Sequence, residues 1–381
     1  MSFLAKERYL LIDTMRGIAS VWILCFHVLP NYIQDNEFLS SIIEFGRIGT
    51  DFFFVASGFA AGIACNKILQ SDNLFVSSKR FLTIRLKRIY TIYFFSLLVA
   101  LYLVPFLMSL VSFLKSGELV FSFYHIDLLE FILYASLFQV FSADTWALNE
   151  AFVEINGVYW FIAILIQIFL FLGLALQFKR YFWFILFAMF LVSLLSLYPS
   201  LKELIPVGLF IPKFSEFYLG ILLWFVIYKQ NVINQDVLRK ISFLFFIIAL
   251  TFVVYFHSNG LKDDWFRFLS ALSVTTLLIY LFPFDKKLSQ LFFLKIFQKL
   301  GKFSYSIYLN HIVFWPFMYM FVSNLVPLPL SVSAPIFLVP MIILCSFVFY
   351  AFFERPNNLQ SLLRGLFMPA STIRDAFISL K

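Results

Sequence analysis

Residues 10–29 read LLIDTMRGIASVWILCFHVL, twenty consecutive positions of mostly apolar character interrupted by Asp13, Arg16, Ser20 and His27. At 100° per residue the four polar positions fall within about 60° of arc, so they form one stripe on a helix whose remaining faces suit lipid. A charge at the bilayer centre costs about 2.5–3.5 kcal/mol on insertion scales, so such a stripe persists only where it faces partners or water. The segment is long enough to span a bilayer, and Asp13 and Arg16 distinguish it from the apolar core of a cleaved leader.

The rest of the chain extends this reading. With 381 residues, 62% hydrophobic, 13% charged and a mean hydropathy of +0.91, the composition exceeds what a water-soluble core can hide. The expected fold class is an all-α polytopic membrane protein of about ten transmembrane helices. The candidate spans are residues 10–29, 46–65, 89–111, 158–176, 181–197, 209–228, 241–256, 266–283, 303–326 and 332–353. Residues 1–355 read as a single transmembrane domain and 356–381 as a tail. The apolar stretch 128–141 is too short to span and reads as interfacial or re-entrant.

The net charge of +8 is a topology signal rather than a nucleic-acid footprint, and no nucleic-acid partner is expected. With the N-terminus inside, 22 of the 29 Lys and Arg fall on the inner side. Both termini are therefore expected in the cytoplasm. Cys25, Cys65 and Cys345 lie in apolar segments with neither metal-ligand nor framework spacing, so no metal is expected.

Candidate chemistry follows from the polar positions. His27 lies near the outer end of the first span, and neutral imidazole can take a proton from a hydroxyl near neutral pH. A histidine that merely hydrogen-bonds across a helix interface is the alternative. Asp51, in GTDFFFVASGFAAGIAC, enters the second span at about the same expected depth and is the candidate to orient the ring, as carboxylates do in triads. Gly58 and Gly62 have the spacing of a close helix contact. Arg16 is about 16 Å below His27 and marks the inner end of the same path. In SSKRFLTIRLKRIY, Arg85 and Arg88 are three residues apart and share a helix face, which suits the phosphates of an anionic co-substrate as well as ordinary positive-inside anchoring.

These residues resemble the acyltransferase-3 family of membrane O-acyltransferases, which includes O-antigen and exopolysaccharide O-acetyltransferases. Arg16 and His27 match the family's first-helix motif, and GTDFFFVASGF matches its second-helix signature. Arg85 and Arg88 resemble its cytoplasmic arginine pair. NGVYWFI, PKFSEFYLG, FSYSIYLNH and FFERP follow in family order. After Trp160 the chain continues FIAILIQIF without the carboxylates many members carry, and Lys213 stands where Arg is common.

The resemblance implies acetyl-CoA as a cytoplasmic acyl donor and a polysaccharide or lipid-linked glycan as acceptor, in the bacterial inner membrane and among its lipids. His27 and Asp51 would be catalytic. Arg16, Arg85, Arg88, Ser304 and His311 would lie along the donor path, and Asn156, Trp160, Lys213 and Glu216 on the acceptor side. Lys213 and Glu216 also read as a structural pair. An exporter of a glycan or small anion, or a non-catalytic assembly subunit, is the competing class, because intramembrane charges mark transport paths too.

Overall fold

The computed structural model describes residues 9–33, 36–117, 128–138, 157–206, 208–228, 234–261 and 264–354, and among these the secondary structure is helical with no strand. In chain order the principal helices are α1 (Leu10–Val28), α2 (Glu37–Glu44), α3 (Gly49–Leu69), α4 (Leu74–Leu98), α5 (Val104–Ser116), α6 (Leu128–Ser136), α7 (Trp160–Ala175), α8 (Phe182–Leu195), α9 (Ile211–Tyr228), α10 (Gln235–Ser258), α11 (Asp264–Leu281), α12 (Phe292–Lys302), α13 (Ser304–Leu325) and α14 (Val339–Phe349).

Local chemistry starts and bends these helices. Asn73 caps α4 by accepting from the Val76 backbone N–H, and Asn234 caps α10 by accepting from those of Asp236 and Val237. One π-helical turn, Val99–Leu103, joins α4 to α5 just ahead of Pro105. Proline has no N–H and crowds the carbonyl four residues back, so the backbone widens locally and the helix continues. Further π turns, Ala334–Leu338 and Tyr350–Glu354, flank α14, and the latter carries the last described acid, Glu354.

Among the described residues, seven helices are long and apolar enough to cross a membrane, or eight if α7 and α8 count as one bent span. This is fewer than the ten expected, for two physical reasons. First, α7 and α8 have 16 and 14 residues and meet at a 119° bend. At 1.5 Å per residue they reach only about 24 and 21 Å, short of a 30 Å hydrocarbon core. Second, α13 has 22 residues but low apolarity, because Ser304, Ser306, Asn310 and His311 turn inward and are fully buried. The expected tail and most of the leading segment lie outside the described residues, as do residues 139–141 of the short apolar stretch, whose first part is α6.

Two backbone contacts set the bundle. Gly58 of α3 and Gly220 of α9 face each other so closely that a Cβ on Gly58 would lie 1.9 Å from the Phe217 carbonyl oxygen and one on Gly220 2.0 Å from that of Val55. Gly62 meets the Trp224 ring one turn further on, so the expected close contact is made against α9. Gly17 of α1 and Gly301 of α12 repeat the arrangement, with Cβ positions 2.0 Å from the Phe297 oxygen and 1.9 Å from the Asp13 oxygen. α12 therefore descends along α1, and α13 returns upward beside it. α10 packs mainly on α11 at the periphery, with Phe243, Leu244, Phe245, Phe252 and Val254 exposed on its outer side.

Candidate active site

Three arginines from two helices converge at the end of the bundle where α1 begins. Arg16 of α1 and Arg85 and Arg88 of α4 line one cavity of about 320 Å³, with Asp13 beside Arg16 and with Phe53, Phe161 and Tyr308 among its apolar walls. They reach it because Arg85 and Arg88 share a face of α4, as three-residue spacing requires. Their environments differ. Arg88 donates to Glu354 Oε1 at 3.1 Å, and Glu354 Oε2 accepts from the Ser306 hydroxyl at 2.7 Å. The Glu354 side chain is 1% exposed and that of Arg88 58%. Arg85 is instead packed against the rings of Phe81 and Phe169, at 5.8 and 5.7 Å, and no carboxylate among the described residues pairs with it. Among the described residues, the cavity thus holds a cation that no carboxylate pairs with directly.

At the other end of α1, His27 is partly buried against the fully buried His311 of α13, with His311 Nε2 3.1 Å from His27 Nδ1. His27 Nδ1 is also 3.0 Å from the Ile23 carbonyl oxygen. His311 Nδ1 is 2.8 Å from that of Tyr308 and 3.2 Å from that of Ile307. His311 was expected on the donor path beside the arginines. It is not a wall of the cavity: α13 starts just after Gly301, which packs on Asp13 of α1, its Tyr305 and Tyr308 line the cavity, and His311 lies about one turn beyond Tyr308, against His27. Ser304 is also away from the cavity wall, fully buried and donating to the Gly301 carbonyl.

Asp51 occupies a third place. Gly46 packs on Trp22 and Phe26, and Gly49 on Ala19 and Ile23, so α3 descends along α1. By Asp51 it has passed His27 by about two turns. The expected partnership with the imidazole is therefore corrected: the ring's side-chain partner is His311, and the fully buried Asp51 forms an ion pair with Arg267 Nη1 at 3.9 Å.

Arg267, from α11, lies over the Trp160 ring at 5.4 Å. Lys213 donates to Glu216 at 3.1 Å and to Asp264 at 2.9 Å, and Lys202 pairs with Asp264 at 2.6 Å. Trp160, Lys213, Glu216 and Asp51 thus belong to one buried polar cluster toward the N-terminal ends of α9 and α11, while Asn156 lies outside the described residues. Sequence reasoning gave no role to Arg267, Asp264 or Glu354. An arginine inside the expected span 266–283 carried the signal for the first, since an intramembrane charge requires a partner.

Tyr308 connects the arginine cavity to the imidazole pair. Its ring is a cavity wall, its centroid is 6.0 Å from that of His311, and its hydroxyl donates to the Val158 carbonyl at 2.7 Å. Phe53 and Phe161 pack on it at 5.6 and 5.1 Å, so a single aromatic layer separates arginines from histidines.

The fold and these groups define a multi-pass helical membrane protein with a cationic cavity one of whose walls, Tyr308, packs beside a pair of imidazoles. The family profile described as an acyltransferase domain matches residues 9–351, and the chain belongs to this family, acyltransferase-3. It is accordingly a membrane acyltransferase that transfers groups other than aminoacyl groups. No curated relative and no solved structure matches the chain.

Proposed function

We propose that the protein moves an acetyl or other short acyl group from cytoplasmic acyl-CoA to a hydroxyl of a cell-surface or lipid-linked polysaccharide such as O-antigen, in a bacterial inner membrane. The observation that carries this reading is the cavity in which Arg16, Arg85 and Arg88 converge one aromatic layer from His27 and His311. A guanidinium that no carboxylate among the described residues pairs with, in a concave and partly apolar site, suits a nucleotide phosphate whose attached arm is itself largely apolar. The volume is at the lower end of the roughly 300–1,000 Å³ range of ligand pockets, enough for part of a nucleotide thioester.

His27 serves as general base. As the acceptor oxygen attacks the thioester carbonyl, the imidazole takes the hydroxyl proton. The C–S bond then breaks, and the proton passes to the departing thiolate, leaving an ester and the free thiol. Arg85 holds the donor phosphates, with Arg88 and Arg16 flanking the arm, and movement of Tyr308, Phe53 and Phe161 opens the way to His27. The cluster of Asp51, Arg267, Trp160, Glu216 and Lys213 shapes the acceptor side, where an aromatic face and carboxylates suit a sugar.

The test is transfer of label from acetyl-CoA to candidate glycans by membranes bearing the protein. His27→Ala is expected to lower the rate by about 10²- to 10⁴-fold while inserting normally. Unchanged transfer in His27→Ala would end the proposal.

A further inference from the structure

The contacts of the two histidines determine where their protons sit. His311 Nδ1 faces two carbonyl oxygens, those of Tyr308 at 2.8 Å and Ile307 at 3.2 Å. A carbonyl oxygen only accepts, so this nitrogen carries a hydrogen, and in the neutral ring Nε2 is then a lone pair. That lone pair lies 3.1 Å from His27 Nδ1, which also lies 3.0 Å from the Ile23 carbonyl oxygen. With acceptors on both sides, His27 Nδ1 carries a hydrogen as well. The remaining nitrogen of His27, Nε2, is thereby left unprotonated and able to accept a proton.

We infer that His311 is a positioning residue that holds His27 in the tautomer with a bare Nε2, the form a general base requires. This inference rests on the acyl-transfer reading above in assigning the base to His27. Its content is separate: a neutral imidazole, anchored by backbone carbonyls of α13, takes the place that an acid occupies in a Ser–His–Asp arrangement. A carboxylate beside His27 would require another charge within the span, whereas an imidazole with its second nitrogen on a backbone carbonyl brings none. His311 is fully buried, so its ring cannot exchange these partners for water.

The magnitude is bounded by the Ile23 carbonyl. Without His311, one acceptor still faces His27 Nδ1, so the orientation is weakened rather than reversed. His311→Ala is expected to lower kcat about 10- to 100-fold, the usual effect of removing a group that orients an imidazole through its second nitrogen, with KM for acetyl-CoA within about twofold. His311→Gln can present its amide oxygen to His27 Nδ1 and is expected to recover most of the loss.

A spectroscopic measurement separates this role from simple packing. The chain has four histidines, so [15N]histidine-labelled protein in lipid nanodiscs yields few ring signals, assigned by comparison with His27→Ala and His311→Ala. The expected wild-type result is a neutral His27 protonated at Nδ1, shifting to a mixture of tautomers in His311→Ala and returning in His311→Gln. A wild-type His27 protonated at Nε2 would overturn the inference, as would a His311→Ala protein with unchanged kcat and unchanged tautomer. An inactive His27→Ala beside a fully active His311→Ala would overturn this inference alone. A fully active His27→Ala would instead overturn the acyl-transfer assignment of the base.

Discussion

Arg85 and Arg88 look interchangeable on their helix face, but their surroundings predict opposite consequences of removing them. Arg85 has no paired carboxylate among the described residues and shares its cavity with Arg16 and Arg88. Arg85→Gln therefore removes repulsion among three cations, so the thermal midpoint in nanodiscs is expected to stay level or rise. In the proposed reaction the same change removes a charge-assisted contact to a donor phosphate, worth about 1.5–3 kcal/mol. That corresponds to about 10- to 150-fold in acetyl-CoA affinity. Arg88→Ala acts on the other side of the ledger. It leaves the Glu354 carboxylate, 1% exposed, with the Ser306 hydroxyl as its remaining donor among the described residues. A buried acceptor stripped of its partner costs about 1–3 kcal/mol, the lower end being appropriate because Arg88 itself is more than half exposed. Adding Glu354→Gln to Arg88→Ala is expected to return much of the lost stability, since the orphaned charge is then gone. Equilibrium binding of acetyl-CoA and thermal unfolding on the same preparations check both halves. Unchanged affinity in Arg85→Gln, or an unchanged midpoint in Arg88→Ala, would refute the division of labour.

At the α3–α9 contact, Gly220→Ala places a Cβ 2.0 Å from the Val55 carbonyl oxygen, where ordinary contact begins at 3.4 Å. The helices must part, and the expected loss is about 1–3 kcal/mol in thermal unfolding. Gly157→Ala, where a Cβ meets nothing within 4 Å, serves as the control, and an equal midpoint in the two variants would contradict the packing argument. In the cluster around Asp51, Arg267→Met leaves that fully buried carboxylate without its ion pair and is expected to lower stability by about 3–5 kcal/mol. The Asp51→Asn/Arg267→Met pair is expected to recover folded yield on size-exclusion chromatography. No recovery would show that Arg267 acts through its contact with Trp160 instead.

Much of the architecture was legible one helix at a time. The stripe of Asp13, Arg16, Ser20 and His27 announced an inward face, and the Gly58–Gly62 spacing announced a close contact. Arg85 and Arg88 announced a shared surface, because a 3.6-residue period maps directly onto direction around one axis. Arg267 was visible as a charge within an apolar segment, but its partner was not. Asp51 shows the limit: its position near the start of α3 suggested the depth of His27, and the offset between neighbouring helices placed it two turns lower.

The order of apolar segments, the intramembrane charges and the family motifs therefore establish by themselves a helical membrane acyltransferase with a polar first helix. Which imidazole touches which, which arginine pairs with a described carboxylate, and where the aromatic layer falls were decided by contacts between residues as far as 284 and 266 positions apart. Hydrophobic periodicity specifies the face each helix turns inward. The depth at which two such faces meet depends on axial offsets set by glycine contacts such as Gly17 with Gly301, and those exist only once the helices have packed.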